Sequence, residues 1–169
     1  MFRPRRIRPA VWAAGVLFVL GGFRLAQPDR DSIYRITFTD GEEHVVARAI
    51  DGDTLELRGG ARVRLIGVDT PEMELDGNAP EPWCDEARAF TDKQVNGRAV
   101  SLTFDRERID PYGRVLAYVS VDDRLLNEEL IAVGLGRAVR EYSYSGTMQR
   151  RFDLAEASAR EAGLGIWSR

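Results

Sequence analysis

Three short segments concentrate charged side chains where chemistry could be done: Ile50-Asp51-Gly52-Asp53-Thr54, the run from Arg62 to Glu72, and Asp110-Pro111-Tyr112-Gly113-Arg114. Asp53 and Asp69 are hard oxygen donors of the kind that hold Ca²⁺ or Mg²⁺, and the larger ion tolerates the irregular geometry a turn supplies. Arg64 and Arg114 carry planar forks that meet two phosphate oxygens at once. Each residue also has a plain structural reading. Asp51 before Gly52 is an ordinary turn former, Asp69 before Thr70-Pro71 fits a side-chain turn at a strand end, and Arg64 alternates with Val63 and Leu65 as any strand residue does. Together they describe something narrower. Carboxylates that mutual repulsion would otherwise keep apart, brought together from two segments, suit a bound divalent cation.

The elements around these segments are short. Ile33 to Thr39 reads as a strand ending at the turn pair Asp40-Gly41, and further strands are expected at Val45 to Ile50, Thr54 to Leu57 and Val63 to Val68. An antiparallel meander of this kind can bring Asp53, at the start of one strand, and Asp69, at the end of another, to one rim. Pro71 ends the strand pattern, and Glu72 to Pro82 lacks periodicity. A helix is expected from Cys84 to Val95, with Ala87, Phe90 and Gln94 or Val95 facing the core, stopped by Asn96-Gly97. Strands follow at Val100 to Phe104 and Arg114 to Val121. Asp122 or Asp123 then caps a helix reaching Val133, with Leu126, Leu130 and Val133 on one face. A last helix spans Thr147 to Ala162, with Met148, Phe152, Ala155, Ala159 and Ala162 inward. Strands interrupted by one helix and followed by two more make an α+β domain.

Composition narrows the chemistry further. With one cysteine, Cys84, and one histidine, His44, neither an intramolecular disulfide nor a Cys/His zinc cluster is possible, so a metal must be held by oxygen. Cys84 is expected to pack near its helix start, and His44, beside Glu42 and Glu43, to lie on the surface. Without the five arginines up to Arg24, the chain has 19 basic residues against 27 acidic ones. That balance argues against a high-affinity binder working by phosphate contacts alone, while a locally positive site remains open. A basic flank, residues 1–9, precedes an apolar segment, 10–26, and a linker, 27–32, with the domain occupying 33–169. The uncharged run from Ala10 to Phe23 has 14 residues, short of the roughly 20 that span a bilayer. It reads as a signal peptide or an uncleaved anchor that delivers the domain across the cytoplasmic membrane, to be secreted, periplasmic or tethered outside. Membrane contact is then expected only through that segment, and the domain is expected to be a monomer.

The ordered motifs also resemble a known family. Ile50-Asp-Gly-Asp-Thr54, Arg64-Leu-Ile-Gly-Val-Asp-Thr-Pro-Glu72 and Asp110-Pro-Tyr-Gly-Arg-Val-Leu-Ala-Tyr118, with Leu126-Asn-Glu-Glu-Leu130, Gly134-Leu135 and Ile166-Trp167-Ser168, are similar to the staphylococcal-nuclease-like, or thermonuclease, domain over about Val45 to Trp167. The resemblance implies a five-stranded OB-type β-barrel with three helices and Ca²⁺-dependent endonucleolytic cleavage of DNA and RNA to 5′-hydroxyl and 3′-phosphate ends. By motif it implies Asp53, Asp69 and the backbone carbonyl of Thr70 as ligands of one Ca²⁺, with Asp51 behind them. Glu72 matches the carboxylate that activates the attacking water, and Arg64 and Arg114 the pair on the scissile phosphate. Tyr112, Tyr142 and Tyr144 match substrate-contacting tyrosines, although Tyr142 and Tyr144 lie two residues further from Gly134-Leu135 than the family pattern has them. The family's lysine-rich surface is missing, Lys93 being the sole lysine. Two rivals stay open: a non-catalytic OB-type module that binds nucleic acid or protein, and hydrolysis of some other phosphodiester.

Overall fold

A computed structural model describes residues 38–73 and 79–168. Its elements are β1 (Glu43–Ala49), β2 (Thr54–Leu57), β3 (Arg62–Leu65), β4 (Val68–Asp69), α1 (Cys84–Val95), β5 (Ala99–Thr103), β6 (Val115–Val121), β7 (Arg124–Leu125), α2 (Leu126–Ala132), β8 (Arg137–Ala138), α3 (Gly146–Glu161) and a 3₁₀ turn, Gly165–Trp167. The main sheet runs β3-β2-β1-β5-β6-β7, and β3 also pairs with β6. That second pairing closes five strands into an OB-type barrel, so the fold is α+β with three helices.

The closing pair differs from a pure meander. β1, β2, β5 and β6 pair with their neighbours antiparallel, but β3 lies parallel to β6, with Val63 opposite Val115, Arg64 opposite Leu116 and Leu65 opposite Ala117. β1 serves two partners in succession, β5 through Glu43–Val45 and β2 through Val46–Ala49, with a register shift between Val46 and Arg48. Such a bulge bends the strand and raises its twist, which lets a short sheet curl until its ends meet. Inside the barrel lie Val46, Leu55, Val63, Leu65, Leu102, Val115 and Val119, each at most 1% exposed.

Local turn chemistry overrode several sequence expectations. β3 stops at Leu65, because Ile66-Gly67 turn the chain before Val68–Asp69 pairs with β8. Gly67 has φ 78°, and a Cβ there would sit 2.6 Å from the Phe152 ring. Asp122 and Asp123 cap nothing. Their φ values of 49° and 62° make the two-residue turn between β6 and β7, and α2 starts at Leu126 with no side-chain cap. Both residues of a type I′ turn need positive φ, a conformation aspartate tolerates. Val133 is exposed, and Leu126, Leu130 and Ile131 form the buried face of α2 instead. In α1 the buried stripe is Cys84, Ala87, Thr91 and Val95, with Phe90 only half-buried. α3 is capped by Ser145, whose hydroxyl accepts the Met148 N–H at 3.3 Å; Phe152 and Ala159 are buried and Ala162 is exposed. His44 is not a free surface residue, for its ring lies 4.9 Å from that of Phe38 and its side chain is 17% exposed.

The expected segments at 1–9, 10–26 and 27–32, and most of the strand at 33–39, lie outside the described residues; Phe38 and Thr39 are not in a strand. Among the described residues no helix is long and apolar enough to cross a membrane.

α2 is fastened to the barrel by Asn127, which is fully buried. Its Oδ1 accepts the Val119 N–H at 2.9 Å, and its Nδ2 donates to the carbonyl of Ile66 at 2.9 Å. The side chain thereby satisfies β6 and the turn leading to Asp69 at once. Asn127→Ala should lower the unfolding free energy in urea by about 2–6 kcal/mol, since two buried backbone groups lose their partners at about 1–3 kcal/mol each. A loss below about 0.5 kcal/mol would contradict this bridging role.

Candidate active site

Closure of the barrel assembles the charged residues. Arg114 immediately precedes Val115, and Val115 pairs with Val63, the residue between Arg62 and Arg64. Parallel pairing thus brings arginines some fifty positions apart to the same end of two adjacent strands. The result is an open cleft lined by Arg62, Arg64, Asp69, Glu72, Tyr112, Arg114 and Glu141.

Arg64 is the centre of this arrangement. It is 4% exposed, and its Nη1 donates to the carbonyls of Leu65 and Val68 at 3.1 and 2.7 Å and lies 3.0 Å from Asp53 Oδ2. Its Nη2 donates to Asp69 Oδ1 at 3.1 Å. The two carboxylates therefore converge through one guanidinium. Asp53 is buried and Asp69 half-exposed. Asp53 is further held by the N–H and hydroxyl of Thr70, which donate to its Oδ2 at 2.9 and 3.0 Å. Asp51 Oδ1 accepts the Asp53 N–H at 3.0 Å, fixing the tight turn before β2.

The turn itself is pinned from behind. Thr91 on α1 donates to the Gly52 carbonyl at 2.6 Å, and Gly52 passes so close that a Cβ would lie 2.6 Å from Thr70 Oγ1 and 2.8 Å from Ala87 Cβ. Asp110 performs the corresponding task for Arg114. Its side chain is wholly buried; Oδ1 accepts the N–H groups of Tyr112 and Arg114, both at 2.9 Å, and Oδ2 accepts Arg114 Nε at 2.5 Å. Arg114 Nη2 reaches the Tyr142 hydroxyl at 3.3 Å, and its guanidinium lies 5.5 Å from the centre of the Tyr112 ring. Tyr112 is 81% exposed at the cleft. Tyr144 stands apart from it, being 2% exposed, tilted against Phe152 and bonded by its hydroxyl to the Val139 carbonyl at 2.5 Å.

Two of the acids around Arg64 hold their protons more tightly than free carboxyls do. Burial pushes the Asp53 carboxyl up to about 7, with Asp51 adding to the rise and Arg64 and the Thr70 donors opposing it. Burial also raises Glu72, reinforced by Asp51 and Asp69 against Arg64. Among the described residues no three His, Cys, Asp or Glu side chains are gathered to hold a metal by themselves. Asp53 and Asp69, joined through Arg64, are hard oxygen donors of the kind that would suit a divalent ion keeping part of its water.

The model of the staphylococcal nuclease homologues matches residues 62–169 of this chain, from the start of β3 onward. The chain belongs to that family. It is 39% identical over 144 residues to the thermonuclease of Staphylococcus intermedius, covering 82% of this chain and 85% of that protein. The thermonuclease of Staphylococcus hyicus is 35% identical over 130 residues, 75% of this chain and 76% of the other. Endonuclease YncB of Bacillus subtilis is 36% identical over 126 residues, 72% and 60% of the two chains. Within the family frame, Asp110, Thr91 and Arg62 are the contributors that motif reading left unassigned. Asp110 was signalled by its place in the Asp-Pro-Tyr-Gly-Arg turn, whereas nothing in the sequence points to Thr91.

Gly52→Ala should cost about 1–3 kcal/mol of stability by overpacking against Thr70 and Ala87. Gly59→Ala, where a Cβ meets nothing within 4 Å, should stay within about 0.5 kcal/mol of the parent. Equal stability of the two variants in thermal unfolding would refute the close packing of α1 on this turn.

Proposed function

We propose that this chain is a Ca²⁺-dependent endonuclease that hydrolyses phosphodiester bonds in DNA, RNA or both, giving 3′-phosphate and 5′-hydroxyl ends. The observation that carries the reading is Arg64 joined to both Asp53 and Asp69 in a cleft that Glu72 and Arg114 also line. Relatives named thermonuclease and endonuclease support the class of reaction, and the product ends follow the family resemblance.

Asp53, Asp69 and the Thr70 carbonyl would hold the ion, with Asp51 behind them shaping the turn. Bound Ca²⁺ would supply positive charge at the phosphate oxygens. The protein's own groups do the rest. Arg64 and Arg114 present guanidinium groups to the phosphate, most favourably as negative charge accumulates in the transition state. Asp110 keeps Arg114 from swinging away, so little ordering is needed when substrate arrives. Glu72 accepts a proton from the attacking water, and its surroundings of carboxylates and partial burial favour that uptake. The exposed Tyr112 ring offers a face on which a base can stack, and Tyr142 steadies Arg114. The basic flank and the apolar segment at 10–26 support export, with the domain outside the cytoplasmic membrane and the substrate met there.

The purified chain should degrade DNA or RNA with Ca²⁺ and stop when a chelator is added. Arg64→Lys and Arg114→Lys should each lower kcat/KM about 100-fold or more at saturating Ca²⁺, the scale of losing one transition-state donor. Chelator-resistant cleavage would reject the mechanism. Absence of cleavage of either polymer would reject the enzyme and favour a binding module.

A further inference from the structure

Arg62 is the cleft residue that the proposed chemistry leaves without work. On β3 it stands two positions from Arg64, and the period of two puts both side chains on the same face of the strand, about 6.6 Å apart along it. Their surroundings differ. Arg64 is buried and committed to Asp53 and Asp69, and Arg114 is committed to Asp110. Arg62 is exposed, and among the described residues its side chain has no ion pair or hydrogen bond. The carboxylate directly across the ladder, Glu56, is already taken by Arg48 at 2.6 Å.

We infer that Arg62 is a second phosphate contact, gripping the phosphate next to the one cleaved, so that the cleft favours a polynucleotide strand over an isolated phosphodiester. The inference rests on the reading of the cleft as a nuclease site and adds a residue that sets substrate length. Two guanidinium groups in line along a strand match successive phosphates of an extended chain. In a net-acidic body such a contact matters more than on a basic surface, because acids outnumber the cations that draw the polymer in. Glu141, on the same cleft, opposes the anion and makes an uncompensated cation at Arg62 the more necessary. The contact strengthens binding without reaching the reacting atoms, so its loss belongs in KM.

The test compares full-length Arg62→Ala, Arg62→Lys and the parent in Ca²⁺ on two substrates, a single-stranded oligonucleotide and a dinucleoside monophosphate with one phosphodiester. Arg58→Ala, an exposed arginine of the same hairpin outside the cleft, is the control. Arg62→Ala should raise the oligonucleotide KM about 5- to 10-fold with kcat held within about twofold, and reduce the slope of log KM against log salt by about 0.7, the share of one phosphate contact on a single strand. The defect should be smaller on the dinucleoside, and Arg62→Lys should recover most of the salt dependence. An unchanged KM and slope, an equal defect on both substrates, or an equal defect in Arg58→Ala would overturn the inference while leaving the nuclease intact. A parent that cleaves neither substrate would overturn both.

Discussion

Burying a carboxylate in the wall of a small barrel is costly unless its charge is met at close range. Asp53 is met there by Arg64, itself buried, and by two donors from Thr70. Everything else at the cleft is arranged around that pair. Arg64 spends one nitrogen on the carbonyls that end β3 and begin β4, which fixes the turn at Ile66-Gly67, and the other on Asp69 beyond the turn. A single guanidinium thus sets the distance between two acidic strands. It stands against both carboxylates together with Asp51 and Glu72, and it is this surplus of acid that a divalent cation would offset in the proposed mechanism.

The barrel earns its role through the way it closes. A sheet closed only by antiparallel hairpins would keep the segment before β6 away from β3. The parallel β3–β6 pair instead sets Arg114 beside Val63 and its flanking arginines. Asp110 then binds the backbone of its own turn and the Arg114 side chain together, so aim is built into five consecutive residues. α1 adds rigidity from outside through Thr91 and Ala87, and α2 through Asn127, each reaching the backbone of a turn that carries an acidic residue.

Much of this was legible because the relevant signals are local. The bounds of α1 and β2 follow from the apolar spacing and from the flanking turn residues, and the Asp-Gly-Asp turn announces itself. The convergence of Asp53 and Asp69 follows from where short strands begin and end. What the sequence conceals is non-local or ambiguous. Asp122-Asp123 serves equally as a cap or as a turn, and only the pairing of Val121 with Arg124 decides for the turn. The parallel closure has no local signature. Tyr142 and Tyr144 read alike, yet one bonds Arg114 and the other fills space beside Phe152. Their two-residue spacing in an irregular segment gives no face to infer.

The most direct measurement is calorimetric titration of Ca²⁺ into the full-length chain, alongside Asp53→Asn and Asp69→Asn. One ion should bind per parent chain, with an affinity at least about 10-fold weaker in each variant. No heat of binding in the parent, or undiminished affinity in both variants, would mean that the acids gathered by Arg64 are only ballast for a buried arginine.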